Sequence, residues 1–356
     1  MMTEFEFLKK LLETPSPSGQ EEKATEVWKM YNHQNTASEE FYHDKIGNSA
    51  YRVGHGPKKV LISGHIDQVN ARVVYIHDNG LLALQYTGGI DNRCLPGSKV
   101  YIITDNGDCI EGAVIKQAMH NDKSDEWPES YRDMSQLRVS IGAEKKEAVQ
   151  DMGIHPGSLV CYKSEVNLSF GKNRICSTSL DDKIGVYIAA EVLRRLEERK
   201  DDNDWKEKYT VIGLSTTQEE TGLRGATVAA HEINPDISID TDVTFATDDE
   251  MTGSKEKMGD IELGKGFVIS WGCDKSTRLN RIIKETAKKH DISFQEESST
   301  AGGTNTEVLQ LASKDCETTH IAIPNQSMHT QNEICDWRDI KGAIDVIVNL
   351  IIDQSL

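Results

Sequence analysis

The pattern of apolar residues changes character twice along the chain, and these two changes limit the folds that it can adopt. Residues 72–162 form short alternating segments separated by Asn-Gly, Gly-Gly and Pro-Gly turns, which is typical of a small β-barrel or sandwich. On both sides of this stretch, strand-length apolar runs alternate with helical patterns, which predicts α/β layers. We therefore predict a discontinuous α/β domain of residues 1–70 and 163–356, with residues 71–162 inserted as a β-rich domain.

The strands and helices of the predicted α/β domain follow from the spacing of its apolar residues. Ser18 and Glu21 form a pattern that is typical of a helix N-terminus, so we expect them to cap the second helix. The predicted strands span residues 60–63, 209–217, 236–243 and 319–323. The predicted helices span residues 3–12, about 22–31, 183–196, 223–232, 276–290 and 336–353.

The composition disfavours several classes of protein. A chain of 356 residues is long enough for two domains, and its net charge of −18 disfavours nucleic acid and anionic membranes as partners. The longest apolar runs are too short to span a bilayer, and the N-terminus lacks the order of a signal peptide. The seven cysteines are scattered without a CxxC pair, which argues against disulfides and thiolate zinc sites and favours a cytoplasmic location.

Acidic residues and histidines follow the predicted strands at the points where these strands end. Ligands collect at the carboxyl edge of an open α/β sheet, so these side chains are candidates for one metal site. Imidazoles and carboxylates without cysteine suit zinc, and also cobalt or manganese. The set holds more carboxylates than one tetrahedral zinc takes, and a second cation that shares a carboxylate would account for the surplus. The candidates are His65, Asp67, Asp181, Asp182, Glu219, Glu220, Asp242 and His329.

Each of these motifs also has an ordinary structural interpretation. Adjacent aspartates before a helix are more often an N-cap, paired glutamates mostly lie on surfaces, and a single aspartate can simply end a strand. Only the ordered set of motifs favours a metal site. No role is predicted for the other histidines, which are His33, His43, His55, His77, His120, His155, His231, His290 and His320.

Several segments have distinctive amino-acid sequences. The most specific are TTQEETGLRGA (216–226) and SLDDKIG (179–185). Others are LLETPSPSGQE (11–21), DKIGN (44–48), SGHIDQV (63–69), SIDTDVTFATD (238–248), LGKG (263–266), AGGTN (301–305) and MHT (328–330). Over almost its entire length the chain resembles the tetrahedral (TET) and glutamyl aminopeptidases, a family of dinuclear metallo-aminopeptidases. The resemblance implies an aminopeptidase-type central mixed β-sheet flanked by helices, with an inserted small β-barrel-like domain.

The resemblance also implies roles for individual residues. It implies two divalent cations per subunit (zinc or cobalt, with manganese as a further option), with His65 and Asp242 on one, Glu220 and His329 on the other, and Asp181 bridging them. Glu219 matches the general base, which activates a metal-bridging water and later protonates the leaving amine. Asp67 matches the residue that holds the ring of His65.

Three positions depart from the family pattern. Gln68 stands where the family commonly has an acid, and Asn305 replaces the acid of its GGTDA motif. Gln326 lies in a segment that usually carries an arginine and an aromatic residue. None of these changes removes an implied ligand or the base, but they alter the charge and shape around the site. The resemblance therefore implies hydrolysis without carrying over a particular substrate preference or subunit number.

The function that the resemblance implies is the release of N-terminal residues from short peptides. Peptides would be the substrates, and the protein would be a homo-oligomer, with the family's dodecameric tetrahedral cage as one possible form. A related metal-dependent deacylase or carboxypeptidase is an alternative, as is a cage-forming scaffold without catalysis. A glycoside hydrolase also uses paired carboxylates, but the histidines and metals would have no role in its mechanism.

Overall fold

The computed structural model describes residues 2–116, 134, 137–248, 255–299 and 303–356. Its helices are α1 (Glu4–Glu13), α2 (Glu22–Asn35), α3 (Lys146–Asp151), α4 (Leu180–Glu198), α5 (Trp205–Lys208), α6 (Arg224–Ile233), α7 (Lys255–Met258), α8 (Thr277–Lys289), α9 (Thr306–Ala312) and α10 (Trp337–Ile352). Its strands are β1 (Tyr42–His43), β2 (Ser49–Gly54), β3 (Lys58–His65), β4 (Asn70–Ile76), β5 (Leu82–Thr87), β6 (Lys99–Ile103), β7 (Cys109–Ile115), β8 (Arg138–Ser140), β9 (Leu159–Tyr162), β10 (Asn167–Phe170), β11 (Arg174–Ser177), β12 (Tyr209–Thr216), β13 (Ile237–Phe245), β14 (Phe267–Trp271), β15 (Phe294–Ser298), β16 (Glu317–Asn325) and β17 (Glu333–Asp336).

A mixed sheet of eight strands, in the order β1-β2-β12-β3-β13-β16-β14-β15, forms the centre of the α/β part. Strands β12, β3, β13 and β16 run parallel to one another, so their carboxyl ends meet at one edge. Strands β2 and β14 run antiparallel to their inner neighbours. The predicted α/β class with a central mixed sheet is confirmed.

Apolar residues cover both faces of this sheet. In β3, Val60 and Ile62 pack with helices α1, α2, α4, α8 and α10, whereas Leu61 between them packs with α6 and α9. This alternation is what a strand buried on both faces requires, because neighbouring side chains point to opposite sides. The result is a sheet between two helical layers.

Helix α4 is the most deeply buried helix of the core. Every residue from Leu180 to Leu193 is buried. Asp181 and Asp182 have non-helical backbone angles, so the regular helix begins at Lys183, where the sequence pattern predicts it. The two aspartates are therefore not part of the repeating helical turn, and their carboxylates lie at the carboxyl edge of the sheet.

The inserted stretch contains a closed barrel with the strand order β4-β5-β8-β7-β6-β9. Its strand pairs are antiparallel, and its interior is a separate apolar cluster that includes Val73, Leu84, Val100 and Val160. The predicted β-barrel is confirmed. The division into domains at residues 70/71 and 162/163 stays a prediction.

The cap predicted for the second helix is wrong. Helix α2 begins at Glu22 without a side-chain cap, because Ser18 and Glu21 bond elsewhere. The Ser18 hydroxyl donates to Asp67 (2.7 Å), and the Glu21 carboxylate accepts from the backbone N–H groups of Gly19 (2.7 Å) and Gln218 (3.2 Å). The loop before α2 therefore packs against the candidate site.

Two further observations bear on the predictions from composition. No helix within the described ranges combines the length and apolar character that crossing a membrane requires. All seven cysteines are free thiols. The prediction for His120 and the first two residues of the AGGTN segment lie outside the described residues.

Candidate metal centre

The carboxyl edge of the parallel strands brings the predicted side chains into one cavity of about 300 Å³. His65 is the last residue of β3, and Asp242 lies in the neighbouring β13. The loops after β12 and β16 and the start of α4 supply the rest of the set. The cavity is lined by His65, Asp181, Glu219, Glu220, Asp242 and His329, together with residues of its outer wall.

Asp181 lies between the two imidazole rings. Its Oδ1 is 3.1 Å from Nε2 of His65, and its Oδ2 is 3.1 Å from Nε2 of His329. One carboxylate therefore faces two ring nitrogens, each with a different oxygen. A ligand that bridges two cations needs this arrangement. The peptide bond between Asp181 and Asp182 is cis.

The remaining carboxylates divide between the two rings. Glu219 Oε2 is 3.7 Å and Asp242 Oδ1 is 4.0 Å from Nε2 of His65. Glu220 Oε1 is 3.5 Å from Nε2 of His329. The consecutive glutamates thus face different histidines, so a single backbone turn supplies a carboxylate to each of the two histidines.

Burial and mutual repulsion govern the charges of these groups. Burial is the main cause that raises the pKa of Glu219 and of Glu220 to about 8, and nearby carboxylates add to it. Burial alone would lower the pKa of His329, but the carboxylates of Asp181 and Glu220 outweigh it and raise this pKa to about 10. Cations that bind these ligands would replace protons, since imidazole and carboxylate ligands bind metals in their deprotonated forms.

The residues present fit divalent cations. Glu220 Oε1 is a buried oxygen without a hydrogen-bond partner among the described residues, so it is available as a ligand. Ligand atoms of His65, Asp181 and Glu220 lie close enough together to share an ion, as do those of His65, Asp182 and Asp242. Nitrogen and carboxylate donors without thiolates suit zinc, cobalt and manganese.

Asp67 connects the strand that carries His65 with the turn that carries the glutamates. Its carboxylate accepts hydrogen bonds from the backbone N–H groups of Glu219 (2.9 Å) and Glu220 (3.2 Å). The ring of His65 is held mainly by the backbone carbonyl of Asp67, 3.0 Å from Nδ1, while the carboxylate is 3.5 Å from that nitrogen. Asp67 thus orients both partners, and its carboxylate acts mostly on the glutamate turn.

Asp182 is anchored by backbone groups. Its carboxylate accepts from the N–H of His65 (3.0 Å) and from the N–H of Gly185 (2.9 Å). A Cβ at Gly185 would lie 2.2 Å from Asp182 Oδ2, so the helix can approach the carboxylate only because residue 185 is glycine. This contact holds α4 against the end of β3.

Glu333 is a buried residue of the site that the sequence analysis missed. Its Oε2 accepts from the backbone N–H of Asp181, and its Oε1 accepts from the backbone N–H of His329, both at 2.9 Å. Its carboxylate therefore connects the backbones of two predicted ligands, Asp181 and His329. The acid four residues after His329 is the only local signal for it, and that signal is weak because glutamate is common in loops.

His320, for which no role is predicted, also lines the cavity. It lies opposite Asp240 in the register of β13 and β16, and its nitrogen, Asp240 and Asp242 could together hold an ion. Burial is the main cause that lowers the pKa of His320 to about 3, so its ring is neutral at neutral pH. The residue lies inside a strand and not in the loop that follows it, which explains why its sequence gives no signal.

The three departures from the family pattern lie around this centre. Gln68 Oε1 accepts from the backbone N–H of Ser16 (3.1 Å) and from the ammonium of Lys183 (3.4 Å). Asn305 donates to the hydroxyl of Thr216 (3.1 Å) at the end of β12. Gln326 donates to Asp248 (2.8 Å) on the surface. None of the three occupies a position facing Asp181.

Comparisons with known proteins identify the family of this chain. A profile of M42 glutamyl aminopeptidases matches residues 47–346. The lysyl aminopeptidase of Pyrococcus furiosus is 29% identical over 98% of this chain and 97% of its own length. The solved structure of an aminopeptidase from the archaeon Desulfurococcus kamchatkensis is 26% identical and has a TM-score of 0.87, covering 98% of this chain and 94% of that one.

A second solved structure is similar over nearly the whole length of both chains. The TET1 peptidase of Pyrococcus horikoshii, which can assemble into a tetrahedron or a large octahedral shell, is 27% identical with a TM-score of 0.83. The alignment covers 98% of this chain and 99% of that one. These matches confirm the resemblance indicated by the sequence motifs. The chain belongs to the M42 glutamyl aminopeptidase family, whose members are hydrolases that act on peptide bonds.

Proposed function

We propose that this protein is an aminopeptidase that binds two divalent cations and releases N-terminal residues from short peptides. The observation that carries the proposal is the position of Asp181, with one oxygen 3.1 Å from each imidazole of His65 and His329. Asp242 of β13 completes the half at His65, and Glu220 of the loop after β12 completes the half at His329. A single cation would occupy only one of the two groups of ligands, around His65 or around His329, and would leave the other group without a role.

The proposed ligands follow from these distances. His65 and Asp242 would hold one cation, Glu220 and His329 the other, and Asp181 both. Zinc, cobalt and manganese suit the donors. When bound, the two cations supply positive charge that polarises the scissile carbonyl and lowers the pKa of the attacking water.

Glu219 is proposed as the general base. Its side chain is buried, lies 3.7 Å from the ring of His65, and is held in place through its own backbone N–H by Asp67. Its carboxylate can take a proton from the attacking water and hand it to the leaving amine, a step that needs no other residue to move. The neighbouring Glu220 faces His329 instead, so the two glutamates divide ligation from proton transfer.

The restriction of cleavage to the N-terminal residue follows from where the amino end of the peptide would bind. Carboxylates surround the cavity and attract the positively charged α-amino group of a peptide. The outer wall of the cavity is formed by Thr244, Phe245, Lys275 and Glu297. A peptide whose amino group is blocked would lose that attraction.

We also propose a cytoplasmic homo-oligomer, including a dodecameric tetrahedral cage. The tetrahedral assembly of the TET1 peptidase of Pyrococcus horikoshii supports this proposal. So do three exposed apolar side chains on neighbouring barrel strands, Val74, Tyr75 and Tyr86, which are 44%, 51% and 56% exposed in the isolated chain. Seven free thiols suit a reducing compartment. Mass photometry at several protein concentrations measures the subunit number.

The experiment that tests the function compares free and N-acetylated peptides with the purified protein. After removal of metals with a chelator, activity on free peptides should vanish and return with cobalt, zinc or manganese. Cleavage of acetylated peptides at the same rate would favour a deacylase or an endopeptidase. Metal binding without turnover of any aminoacyl substrate in a broad panel would favour a cage-forming scaffold.

A further inference from the structure

The barrel reaches the candidate metal centre at the segment Gly88–Gly89 between β5 and β6. The carbonyl oxygen of Gly89 is 2.9 Å from Nδ1 of His329. Gly88 lies against Glu220, where a Cβ would come within 3.2 Å of the Glu220 backbone oxygen. Both residues on this side of the site, Glu220 and His329, therefore contact the barrel.

The hydrogen bond between Gly89 and His329 fixes the state of the ring. A carbonyl oxygen can only accept, so Nδ1 of His329 must carry the proton. The other ring nitrogen, Nε2, is thereby turned towards Asp181 (3.1 Å) and Glu220 (3.5 Å). In a neutral ring with this tautomer, Nε2 has a free electron pair for a cation.

The ring of His329 makes its Nδ1 hydrogen bond outside its own loop. Its side chain is 28% exposed, and its backbone lies in the left-handed region with φ of 63°. The Asp91 N–H, in the same segment between β5 and β6, donates to the His329 carbonyl at 3.3 Å. The ring is thus oriented by a neighbouring part of the fold and not by packing within its loop.

Space explains why residue 89 is glycine. A Cβ at this position would lie 2.6 Å from Nδ1 and 2.7 Å from Cε1 of His329, well inside van der Waals contact. The backbone of Gly89 needs no left-handed conformation, so the ring is the obstacle to a side chain here. Any larger residue would push the imidazole away from its position or move the segment that supplies the carbonyl.

The other half of the site has no such dependence. The ring of His65 is held by the carbonyl of Asp67, two residues away on the same chain segment. Of the carboxylate neighbours of His65, Asp242 lies in β13 of the central sheet and Glu219 follows β12. The two halves of the metal centre are therefore supported by different parts of the fold.

We propose that Gly89 is a positioning residue that selectively supports the cation held by His329 and Glu220, an inference that rests on the proposed ligands. The barrel then contributes to the metal centre directly. The carbonyl oxygen of Gly89 accepts a hydrogen bond from His329, and the missing side chain at residue 89 leaves space for the imidazole ring. Loss of either should weaken binding of this cation and leave the cation at His65 and Asp242 in place.

The test is G89A, with metal-free protein titrated with Mn²⁺ alone and free Mn²⁺ measured by electron paramagnetic resonance. The parent protein should bind two ions, while G89A should bind one ion with parental affinity and the second about 10- to 100-fold more weakly. G342A is the matched control, because its added methyl group would meet its neighbours at 3.5 Å or more. It should bind both ions as the parent does.

Three results would overturn the inference. These are two ions bound to G89A with parental affinity, equal weakening of both ions, or the same loss in G342A. A parent that binds no ion at all would overturn the proposed function along with the inference, which separates the two failures. The visible absorption of Co²⁺-loaded protein gives a second signature, since only one of two bound ions should change its coordination in G89A.

A double-mutant cycle keeps the inference testable if G89A destabilises the fold. If Gly89 acts through the ring of His329, the unfolding temperature of metal-free H329A should change little on adding G89A. The same substitution should lower that temperature in the parent background. An equal loss in both backgrounds would show that residue 89 acts on the barrel alone, and would overturn the inference.

Discussion

Asp67 Oδ1 accepts a hydrogen bond of 2.9 Å from the backbone N–H of Glu219, although 152 residues separate them along the chain. The second oxygen of the same carboxylate accepts from the next N–H, that of Glu220. Gln218, just before them, has a left-handed backbone with φ of 55°. The end of one strand therefore fixes the turn after its neighbour and gives the two glutamates their separate directions.

The adjacent glutamates should fail in different ways when each is replaced by glutamine. E219Q should retain both cations and lose about 10²–10⁴-fold in kcat, because only the proton acceptor is removed. E220Q should lose affinity for the cation that it shares with His329. Turnover of an aminoacyl substrate and elemental analysis of the dialysed proteins separate the two effects. Parental turnover in E219Q would remove this residue from its proposed role.

Glu333 should affect the site without contacting substrate. In E333Q one acceptor oxygen becomes an amide nitrogen, which leaves the buried N–H of Asp181 or His329 unpaired at a cost of about 1–3 kcal/mol. The expected result is a lower unfolding temperature together with weaker cation binding. E307Q, on the exposed side of α9, is the matched control and should change neither quantity. Parental values for E333Q in both measurements would contradict the assignment.

The fold was predictable where local patterns carry the information. Strands β3, β12, β13 and β16 are buried along most of their length, and their positions follow from apolar residues in the sequence. Strands β14 and β15 were missed. Residues 294–298 of β15 are all polar or only partly buried, and the five residues of β14 lie between β15 and β16 in the sheet. Pairing with a distant strand, and not local preference, determines these two elements.

The candidate site was predictable only as a set of residues. His65, Asp181 and His329 are recognisable by their motifs, but the contacts that orient them join distant parts of the chain. Glu333 contacts Asp181 across 152 positions, and Gly89 contacts His329 across 240. No periodicity in the sequence encodes such pairs. They arise from the order of the parallel strands and the placement of the barrel.

The charge of the outer cavity wall predicts a substrate preference. Glu297 accepts hydrogen bonds from Ser270 and from Thr244 (2.6 Å), and no ion pair to it occurs among the described residues. Lys275 in the same wall is already paired with Asp274, at 2.7 Å. Peptides that begin with lysine or arginine should therefore be preferred over those that begin with aspartate or glutamate.

The variant E297Q tests this preference. It should lower kcat/KM for lysyl substrates by about 10- to 100-fold, because it removes a charged acceptor, and should leave leucyl substrates nearly unchanged. E296Q is the control, since Glu296 is the next residue on β15 and pairs with Lys284 at 2.5 Å. An unchanged preference in E297Q, or a parental preference for acidic residues, would contradict the prediction.

His320 should make the folded protein sensitive to acid. Burial lowers its pKa to about 3, whereas in the unfolded chain histidine titrates near 6.5. Between these values the unfolded state binds a proton that the folded state does not, so stability falls as the pH falls, by about 1.4 kcal/mol per pH unit. At and above neutral pH the histidine is neutral in both states, so this loss of stability is absent.

The comparison of H320Q with the parent measures this effect. The drop in unfolding temperature between pH 7 and pH 5 should be smaller in H320Q, with both proteins in the same metal-free state. H231Q, which replaces an exposed histidine on α6, should show the parental drop. An equal drop in H320Q and the parent would contradict the prediction.

Anomalous diffraction from crystals grown with Co²⁺ or Mn²⁺ tests the central claim most directly. Two peaks should flank the carboxylate of Asp181, one within coordination distance of His65 and Asp242 and the other of Glu220 and His329. D181A crystals should lose both peaks. A single peak, or ions that bind away from Asp181, would contradict the proposed two-cation centre.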